Sequence, residues 1–282
     1  MTTINRVTVL GTGVLGSQIA FQTAYFGLEV TAYDISDEVL ESAKARFTGL
    51  AGRYAREMTG GDADAALARI TYTSDLAAAV ADADLVIEAA PERLELKRDL
   101  YTQLGAVAPE RTIFATNSST LLPSALAGFT GRPDKFLALH FANEIWLHNT
   151  AEVMGTPQTD PAVFRTVADF ATKIGMEPIE IKKEKAGYVL NSLLVPLLDA
   201  AGDLLVDGIA EPEMIDKTWR IGTGAPAGPF QIFDVVGLTT AYNIAAASDD
   251  PKRQAFAAHL KENFLDKGKL GVATGEGFYK YS

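Results

Sequence analysis

Residues 7–20 read VTVLGTGVLGSQIA, an apolar strand that enters a Gly-x-Gly-x-x-Gly turn and continues into a helix-forming segment. A second short strand follows and ends at Asp34, eighteen residues beyond Gly16. Gly11 allows the tight turn, Gly13 lets the backbone approach a pyrophosphate, and Gly16 lets the helix pack near the strand. Asp34 stands where a carboxylate binds both hydroxyls of an adenosine ribose. Strand, turn, helix and acidic residue together predict a dinucleotide-binding site, whereas the glycines alone would indicate only a turn.

The composition limits the classes of protein to consider. The 282 residues suffice for one large or two ordinary domains, and 48% hydrophobic with 22% charged residues is typical of a soluble globular chain. The absence of cysteine excludes disulfides, thiolate nucleophiles and cysteine metal ligands. A net charge of −11 argues against nucleic acid or an anionic membrane as the main partner. The first strand begins within a few residues and no stretch could span a membrane, so we expect a cytoplasmic protein.

Strand and helix signals alternate over roughly the first 180 residues. The predicted strands are residues 7–10, 29–33, 85–88, 112–115, 136–139 and 178–181, and the predicted helices between them are residues 17–26, 38–58, 94–108 and 161–174. Most of the strands are continuous apolar runs, as in a parallel sheet that is covered on both faces. This pattern predicts a doubly wound, Rossmann-like α/β sheet. A break at residues 60–62 divides the segment 37–70 into two helices, which suggests a helical arm outside the sheet.

The character of the chain changes after the charged run KKEK at residues 182–185. Only helical patterns follow, at residues 187–206, 212–221, 229–235 and 251–264. We therefore expect a dinucleotide-binding domain over residues 1–184, with the arm near 37–70, and a smaller all-helical domain over residues 185–282. The first helix of that domain is too apolar for a solvated surface, so it should pack on a partner subunit or on the sheet domain.

His140 is the first candidate for chemistry. It directly follows the strand 136–139 and therefore stands at the carboxyl end of a strand, where open α/β sheets bind their ligands. Glu152 lies twelve residues on, in a short apolar segment that a strand–loop–strand return would bring against the imidazole. A carboxylate on one ring nitrogen supports a general acid/base. The alternative is a structural histidine held by hydrogen bonds. His148 and His259 receive no role, and no ligand spacing predicts a metal site.

Other polar residues are expected at the same crevice. The run 116–120, TNSST, follows the strand 112–115, and its hydroxyls and amides either face the crevice or cap the next helix. Asn191 is a polar residue in the mostly apolar helix predicted at residues 187–206. Its side-chain amide either forms hydrogen bonds with neighbouring residues or points toward the cleft.

The sequence resembles the L-3-hydroxyacyl-CoA dehydrogenase family over essentially its whole length. The motifs that carry the resemblance occur in the order of the family: the glycine turn with Asp34, DLVIEAAPE at 84–92, NSS at 117–119, HFAN at 140–143, GYVLN at 187–191, GPF at 228–230, DVVGL at 234–238 and TGEGFY at 274–279. The resemblance implies NAD as cofactor and a helical domain that forms a homodimer and closes the substrate site.

The resemblance also implies roles for individual residues. His140 would be the general acid/base and Glu152 its partner, while Ser119 and Asn191 would hold the substrate oxygen. Glu92, Lys97, Asn117 and Asn143 would lie near the nicotinamide or its ribose. The whole cofactor set would be Gly11, Gly13, Val14, Leu15, Gly16, Asp34, Ala90, Glu92, Lys97, Asn117 and Asn143.

Several positions differ from the usual residues of the family. Ala142 and Glu144 replace Phe and Pro, Tyr188 replaces Phe, Ser192 replaces Arg and Ala273 replaces Lys. Trp146 would reshape the acyl site. Similar departures mark a subgroup that resembles diketoreductase, which acts on β-keto and diketo esters without CoA.

Whether the substrate carries CoA depends on the helical arm. In the family this arm holds the CoA phosphates, and Arg46, Arg53 and Arg56 share one face of it. The alternative is a solvated helix face. We expect an NAD-dependent oxidoreductase that interconverts 3-hydroxyacyl and 3-ketoacyl groups, as CoA thioesters in the first place. The alternatives are a CoA-independent reductase of β-keto or diketo acids or esters, a sugar-acid 3-dehydrogenase, or a non-catalytic NAD-binding protein.

Overall fold

One eight-stranded sheet forms the centre of the first of two units in this chain. The computed structural model describes residues 3–281. The first unit ends at Val189 and the second begins at Leu190. The strands are β1 Arg6–Leu10, β2 Glu29–Tyr33, β3 Ile70–Thr73, β4 Leu85–Glu88, β5 Ile113–Thr116, β6 Phe136–Phe141, β7 Thr150–Gly155 and β8 Glu177–Ile181.

The order of the strands creates the binding crevice. It is β3-β2-β1-β4-β5-β6-β7-β8, and every neighbouring pair is parallel except β6 and β7, which are antiparallel. The chain winds outward in one direction from β1 and in the other from β4, so the crevice opens at the carboxyl ends of these two strands. The sheet confirms the predicted doubly wound fold. The antiparallel β7 is the return that the sequence suggested after His140.

The described part of this unit, residues 3–189, contains seven α-helices: α1 Val14–Tyr25, α2 Asp37–Glu57, α3 Ala63–Ala68, α4 Leu76–Val80, α5 Leu94–Val107, α6 Ser124–Ala127 and α7 Pro161–Lys173. Local signals mark their beginnings. The Ser36 side chain accepts a hydrogen bond from the Val39 amide and caps α2, and Asp160 caps α7, whose first residue is a proline.

The strands divide their side chains between two apolar cores. Val9 and Ile87 point into the core on one face of the sheet, whereas their neighbours Leu10 and Val86 point into the core on the other. This alternation is the period of two that a strand imposes on its side chains. Both faces are buried, which is why these strands read as continuous apolar runs in the sequence.

Three elements of the first unit, β3, α4 and α6, were absent from the sequence interpretation. The arm was taken to extend to residue 70, but Ile70–Thr73 forms β3 at the edge of the sheet, and the short helix α4 follows it. Only Ile70 of β3 is buried. An edge strand with partly exposed side chains lacks the apolar run by which the central strands were recognised. The break at residues 60–62 does separate two helices, α2 and α3.

Over its described residues, 190–281, the second unit contains five α-helices: α8 Leu190–Val206, α9 Pro212–Thr223, α10 Pro229–Val236, α11 Leu238–Ala246 and α12 Pro251–Asn263. Pro196 lies inside α8 without ending it. The sequence interpretation did not include α11, which follows α10 after Gly237, a residue with φ of +94°. Aromatic rings of Phe230, Phe233 and Phe256 form much of the core of this unit.

Two buried aspartates organise the second unit. Asp216 accepts hydrogen bonds from the amides of Phe230 and Gln231, at the start of α10. Asp234 accepts hydrogen bonds from the amides of Phe278 and Tyr279, which belong to the TGEGFY motif. A buried carboxylate needs several such donors to offset its lost hydration. These motifs therefore hold the unit together. Within residues 3–281, no helix is both long enough and apolar enough to cross a membrane.

Candidate active site

The glycine turn between β1 and α1 has the shape of a phosphate cradle. Gly11 has φ of +97°, and a Cβ atom on Gly16 would overlap the carbonyl oxygen of Gly11. A Cβ atom on Gly13 would meet no atom within 4 Å, so the space outside this residue is open. Val14, the first residue of α1, is 66% exposed. The helix N-terminus thus offers its amides to an open space, as a pyrophosphate requires.

Asp34 is fixed beside this turn at the end of β2. Its Oδ2 accepts hydrogen bonds from the amide and the hydroxyl of Thr12, at 2.7 and 2.6 Å. Arg46 reaches the same place from α2, where its guanidinium donates to the Thr12 carbonyl oxygen at 2.8 Å. Arg46 therefore lies at the glycine turn, and Arg53 contacts other residues, as described below. These residues fit the adenosine half of a dinucleotide, with Asp34 as acceptor for the ribose hydroxyls.

A buried ion pair lies behind the end of β4. The Lys97 ammonium donates to Oε1 of Glu88 at 2.5 Å and to the Ala90 carbonyl oxygen at 3.1 Å. Thr116 and Tyr101 donate to the other oxygen of Glu88. The side chain of Lys97 is 1% exposed, and its ammonium also lies 3.4 Å from Oε2 of Glu92. Lys97 thus supports the wall of the crevice from behind.

Glu92 fastens the loop that carries Ser119. Its Oε1 accepts hydrogen bonds from the Ser118 hydroxyl at 2.5 Å and from both the amide and the hydroxyl of Thr120, at 2.9 and 2.7 Å. Partial burial opposes ionisation of Glu92, but these hydrogen bonds and the Lys97 ammonium outweigh it and lower the pKa of the carboxyl to about 2. The residues on both sides of Ser119 are thereby fixed.

Ser119, His140 and Glu152 form a connected line of hydrogen bonds. Oε2 of Glu152 lies 2.9 Å from Nδ1 of His140, and Oγ of Ser119 lies 3.1 Å from Nε2 of the same ring. His140 and Glu152 are directly opposite each other on the antiparallel strands β6 and β7, and both are buried. Because an ionised carboxylate can only accept, Nδ1 carries the hydrogen and Nε2 faces Ser119.

The remaining predicted residues lie at separate places. Asn117 is buried and its Oδ1 accepts a hydrogen bond from the Phe141 amide, which joins the ends of β5 and β6. Asn143 is exposed in the loop after β6. The Ala90 amide donates to Glu88, and Leu15 is half-buried in α1. Asn191 belongs to the second unit, as the second residue of α8, and is half-buried.

Arg53 is engaged in contacts within the first unit. Its guanidinium donates to Glu144 at 2.8 Å and to Glu57 at 3.1 Å, and it lies 4.6 Å from the ring centre of Trp146. The indole nitrogen of Trp146 donates to Glu57 as well. Glu144 has φ of +59°, a conformation that proline cannot adopt. These contacts tie the arm helix α2 to the loop after His140. Arg56, one turn from Arg53, is exposed.

Sequence reasoning assigned no role to Glu88 or Tyr188. The ring of Tyr188 is stacked on His140, and Glu88 lies under the crevice. A charged residue that ends an apolar strand and an aromatic residue just before a helix were the available signals. Among residues 3–281, no group of three or more His, Asp and Glu side chains is arranged to hold a metal ion.

Comparisons with known proteins show the family to which the chain belongs. The sequence profile of the 3-hydroxyacyl-CoA dehydrogenase NAD-binding domain matches residues 6–185, and that of the C-terminal domain of the same enzyme matches residues 187–281. The chain is 36% identical over 288 residues to the mitochondrial hydroxyacyl-coenzyme A dehydrogenase of Rattus norvegicus, a match that covers 99% of this chain and 91% of that protein.

Two solved structures are similar over the whole chain. One is a diketoreductase, described as performing substrate-directed dual catalysis of dicarbonyl compounds, with 70% identity, a TM-score of 0.96 and full coverage of both chains. The other is the (S)-3-hydroxybutyryl-CoA dehydrogenase of Ralstonia eutropha, with 31% identity, a TM-score of 0.83 and coverage of 99% of this chain and 100% of that one.

The dinucleotide cradle and these relatives define an NAD-dependent oxidoreductase. The chain belongs to the 3-hydroxyacyl-CoA dehydrogenase family, in agreement with the resemblance that its motifs indicated.

Proposed function

We propose that His140 is the general acid/base of this oxidoreductase, with Glu152 as its charge partner and Ser119 as a group that holds the reacting oxygen. The observation that carries the proposal is the buried line of hydrogen bonds from Ser119 through His140 to Glu152. A histidine so placed has one nitrogen fixed by a carboxylate and the other available for a proton. The line begins at the carboxyl ends of β5 and β6, beside the crevice.

In the reaction that we propose, NAD supplies the acceptor for a hydride from C3 of a 3-hydroxy substrate, and NADH supplies the hydride in the reverse direction. Nε2 of His140 takes the proton of the 3-hydroxyl group during oxidation and returns it during reduction. Glu152 stabilises the imidazolium that forms, through the bond to Nδ1. Ser119 donates a hydrogen bond to the substrate oxygen, where charge develops, and we propose Asn191 for the same oxygen.

As the preferred substrate we propose a 3-keto compound with a second carbonyl group, free or esterified, without CoA. The 70% identity to a diketoreductase supports this choice. The contacts of Arg53 support it as well, because a phosphate would have to compete with Glu57 and Glu144 for the same guanidinium.

A CoA thioester is the second candidate substrate. Relatives at 31–36% identity are named as dehydrogenases of hydroxyacyl-CoA or hydroxybutyryl-CoA, and they match nearly the whole chain. Arg56 is exposed on the arm helix α2, where it can meet a phosphate.

One assay separates these candidates. The purified protein is given NADH and either ethyl acetoacetate or acetoacetyl-CoA, and the loss of NADH absorbance is followed. We expect the higher kcat/KM with the ester. A higher kcat/KM with acetoacetyl-CoA would overturn the proposed substrate and leave the acid/base role intact.

A variant tests the acid/base role in the same assay. His140→Gln should lower kcat by about 10²–10⁴-fold, the usual contribution of a positioned acid/base. The Kd for NADH, measured by fluorescence, should stay unchanged, because the nucleotide cradle is formed by other residues. A His140→Gln variant that keeps near-normal turnover, when hydride transfer is shown to limit the rate, would contradict the mechanism.

We also propose that the protein is a cytoplasmic homodimer and that the second unit, residues 190–281, provides the contact surface. Helices of this unit expose large apolar side chains, among them Leu193 at 70% and Ile221 at 75%. Exposed apolar surface of this kind on several helices is typical of an interface between subunits.

A further inference from the structure

Three consecutive residues, 187–189, contact every member of the proposed acid/base line. The Gly187 amide donates to the Ser119 carbonyl oxygen at 3.2 Å, and the Val189 amide donates to Oε1 of Glu152 at 2.9 Å. Between them, the Tyr188 hydroxyl donates to the Ser118 carbonyl oxygen at 2.7 Å. We call these three residues the clasp. It joins the loop after β5 to the carboxylate on β7.

The ring of Tyr188 supplies the remaining contact. It lies parallel to the imidazole of His140, with 4.3 Å between the ring centres and 8° between the ring planes. Tyr188 is 1% exposed, so its ring closes this side of the imidazole to water. Burial, with the nearby charge of Glu152, raises the pKa of the Tyr188 hydroxyl, which therefore remains a donor to Ser118.

The backbone at Tyr188 shows how strongly its position is determined. Its φ is +51°, in the left-handed region that residues with a Cβ atom rarely occupy. Glu144 is the only other non-glycine residue with positive φ among residues 3–281. A residue stays in this conformation only when its surroundings hold it there, and the three hydrogen bonds of the clasp do so.

We infer that Tyr188 is a positioning residue that keeps the imidazole of His140 in the plane containing Ser119 and Glu152. The two hydrogen bonds of His140, at Nδ1 and Nε2, lie at the edge of its ring. They do not by themselves prevent the ring from tilting about the line that joins the two nitrogen atoms. A parallel ring at van der Waals distance prevents that tilt, so Nε2 remains directed at the reacting oxygen. The electron-rich face of the phenol ring also stabilises the positive charge of an imidazolium stacked on it. The inference rests on the proposed role of His140.

Substitutions of Tyr188 test the inference. Tyr188→Leu removes the ring and should lower kcat for ester reduction by about 10- to 100-fold, the effect of a misplaced catalytic group. Tyr188→Phe is the matched control, because it keeps the ring and removes only the hydroxyl; its kcat should stay within about threefold of the unmodified protein. The Kd for NADH should be the same in all three proteins. If Tyr188→Leu does not fold, Tyr188→Met fills the space without an aromatic face and serves the same purpose.

A double variant shows whether Tyr188 acts through His140. In the His140→Gln background, Tyr188→Leu should cause no further loss of kcat, because the group that the ring positions is gone. A folded Tyr188→Leu protein with normal kcat, or an equal loss in both backgrounds, would overturn the inference. If instead His140→Gln alone keeps normal turnover, the proposed acid/base role fails, and the two failures are thus distinguished.

Discussion

At the scale of single residues, we expect Asp34 to determine the choice of cofactor. Its carboxylate already lies against the glycine turn through two hydrogen bonds from Thr12, so a 2′-phosphate at this place would meet a fixed negative charge. We expect a much higher kcat/KM with NADH than with NADPH. Asp34→Asn, which keeps the shape and removes the charge, should narrow this difference by about tenfold or more. Equal efficiency of the unmodified protein with both cofactors would refute the prediction.

Glu92 should make the free energy of unfolding depend on pH. Its pKa is about 2 in the folded protein against 4.5 for the free side chain, so the unfolded chain binds the proton more tightly. The stabilisation is present above about pH 4.5 and is lost as the pH falls from 4.5 toward 2. In Glu92→Gln, the unfolding free energy from denaturant titrations should therefore decrease less over this range. Glu110→Gln, at an exposed glutamate, is the control and should follow the unmodified protein.

The sequence allowed part of the candidate site to be predicted at this scale. The positions of His140 and Ser119 at strand ends indicated the crevice, and the spacing to Glu152 indicated a strand return. The ion pair of Lys97 with Glu88 and the contact of Arg53 with Glu144 were not predictable. These contacts join side chains from different elements, and packing of the whole unit decides which partner each side chain meets.

At the scale of elements, two glycines of the turn between β1 and α1 should respond differently to alanine. Gly16→Ala places a methyl group on the Gly11 carbonyl oxygen and should lower the free energy of unfolding by about 1–3 kcal/mol. Gly13→Ala finds open space, so stability should hardly change, while the Kd for NADH should rise because the methyl group occupies the phosphate cradle. Thermal unfolding and fluorescence titration measure the two effects. Unchanged NADH binding in Gly13→Ala would contradict the assignment of the cradle.

Elements with a strong local signal were predicted well, and weak ones were not. The central strands are apolar runs, and five helices, α2, α7, α9, α10 and α12, begin at a capping residue or a proline, so their positions followed from the sequence. The short helix α4 was missed although Asp75 caps it. The edge strand β3 and the helix α11 have no such signal. Pro196 lies inside α8, and the helix continues through it. Such a proline removes one hydrogen bond, and the surrounding packing preserves the helix.

At the scale of the whole molecule, self-association is the property that can be tested most directly. The combined variant Leu193→Glu and Ile221→Glu places charges on two exposed apolar positions of the second unit and should convert the proposed dimer to a monomer. Sedimentation velocity measures the mass. Val107→Glu is the control, because Val107 is an exposed apolar residue of the first unit and its substitution should leave the mass unchanged. A monomeric unmodified protein would disprove the proposal.

The pairing of His140 with Glu152 across β6 and β7 has a consequence for redesign. The ladder of backbone hydrogen bonds determines their alignment, whereas the loop 142–149 connects the two strands and packs Ile145 and Trp146 into the core. Replacing this loop by one of another length should therefore leave the pair aligned, whereas a one-residue insertion in either strand would turn one side chain to the opposite face. The loop also carries Glu144 and Trp146. Libraries in this loop should therefore keep the buried Ile145 and Trp146 and vary the exposed positions around them on a constant chemical framework.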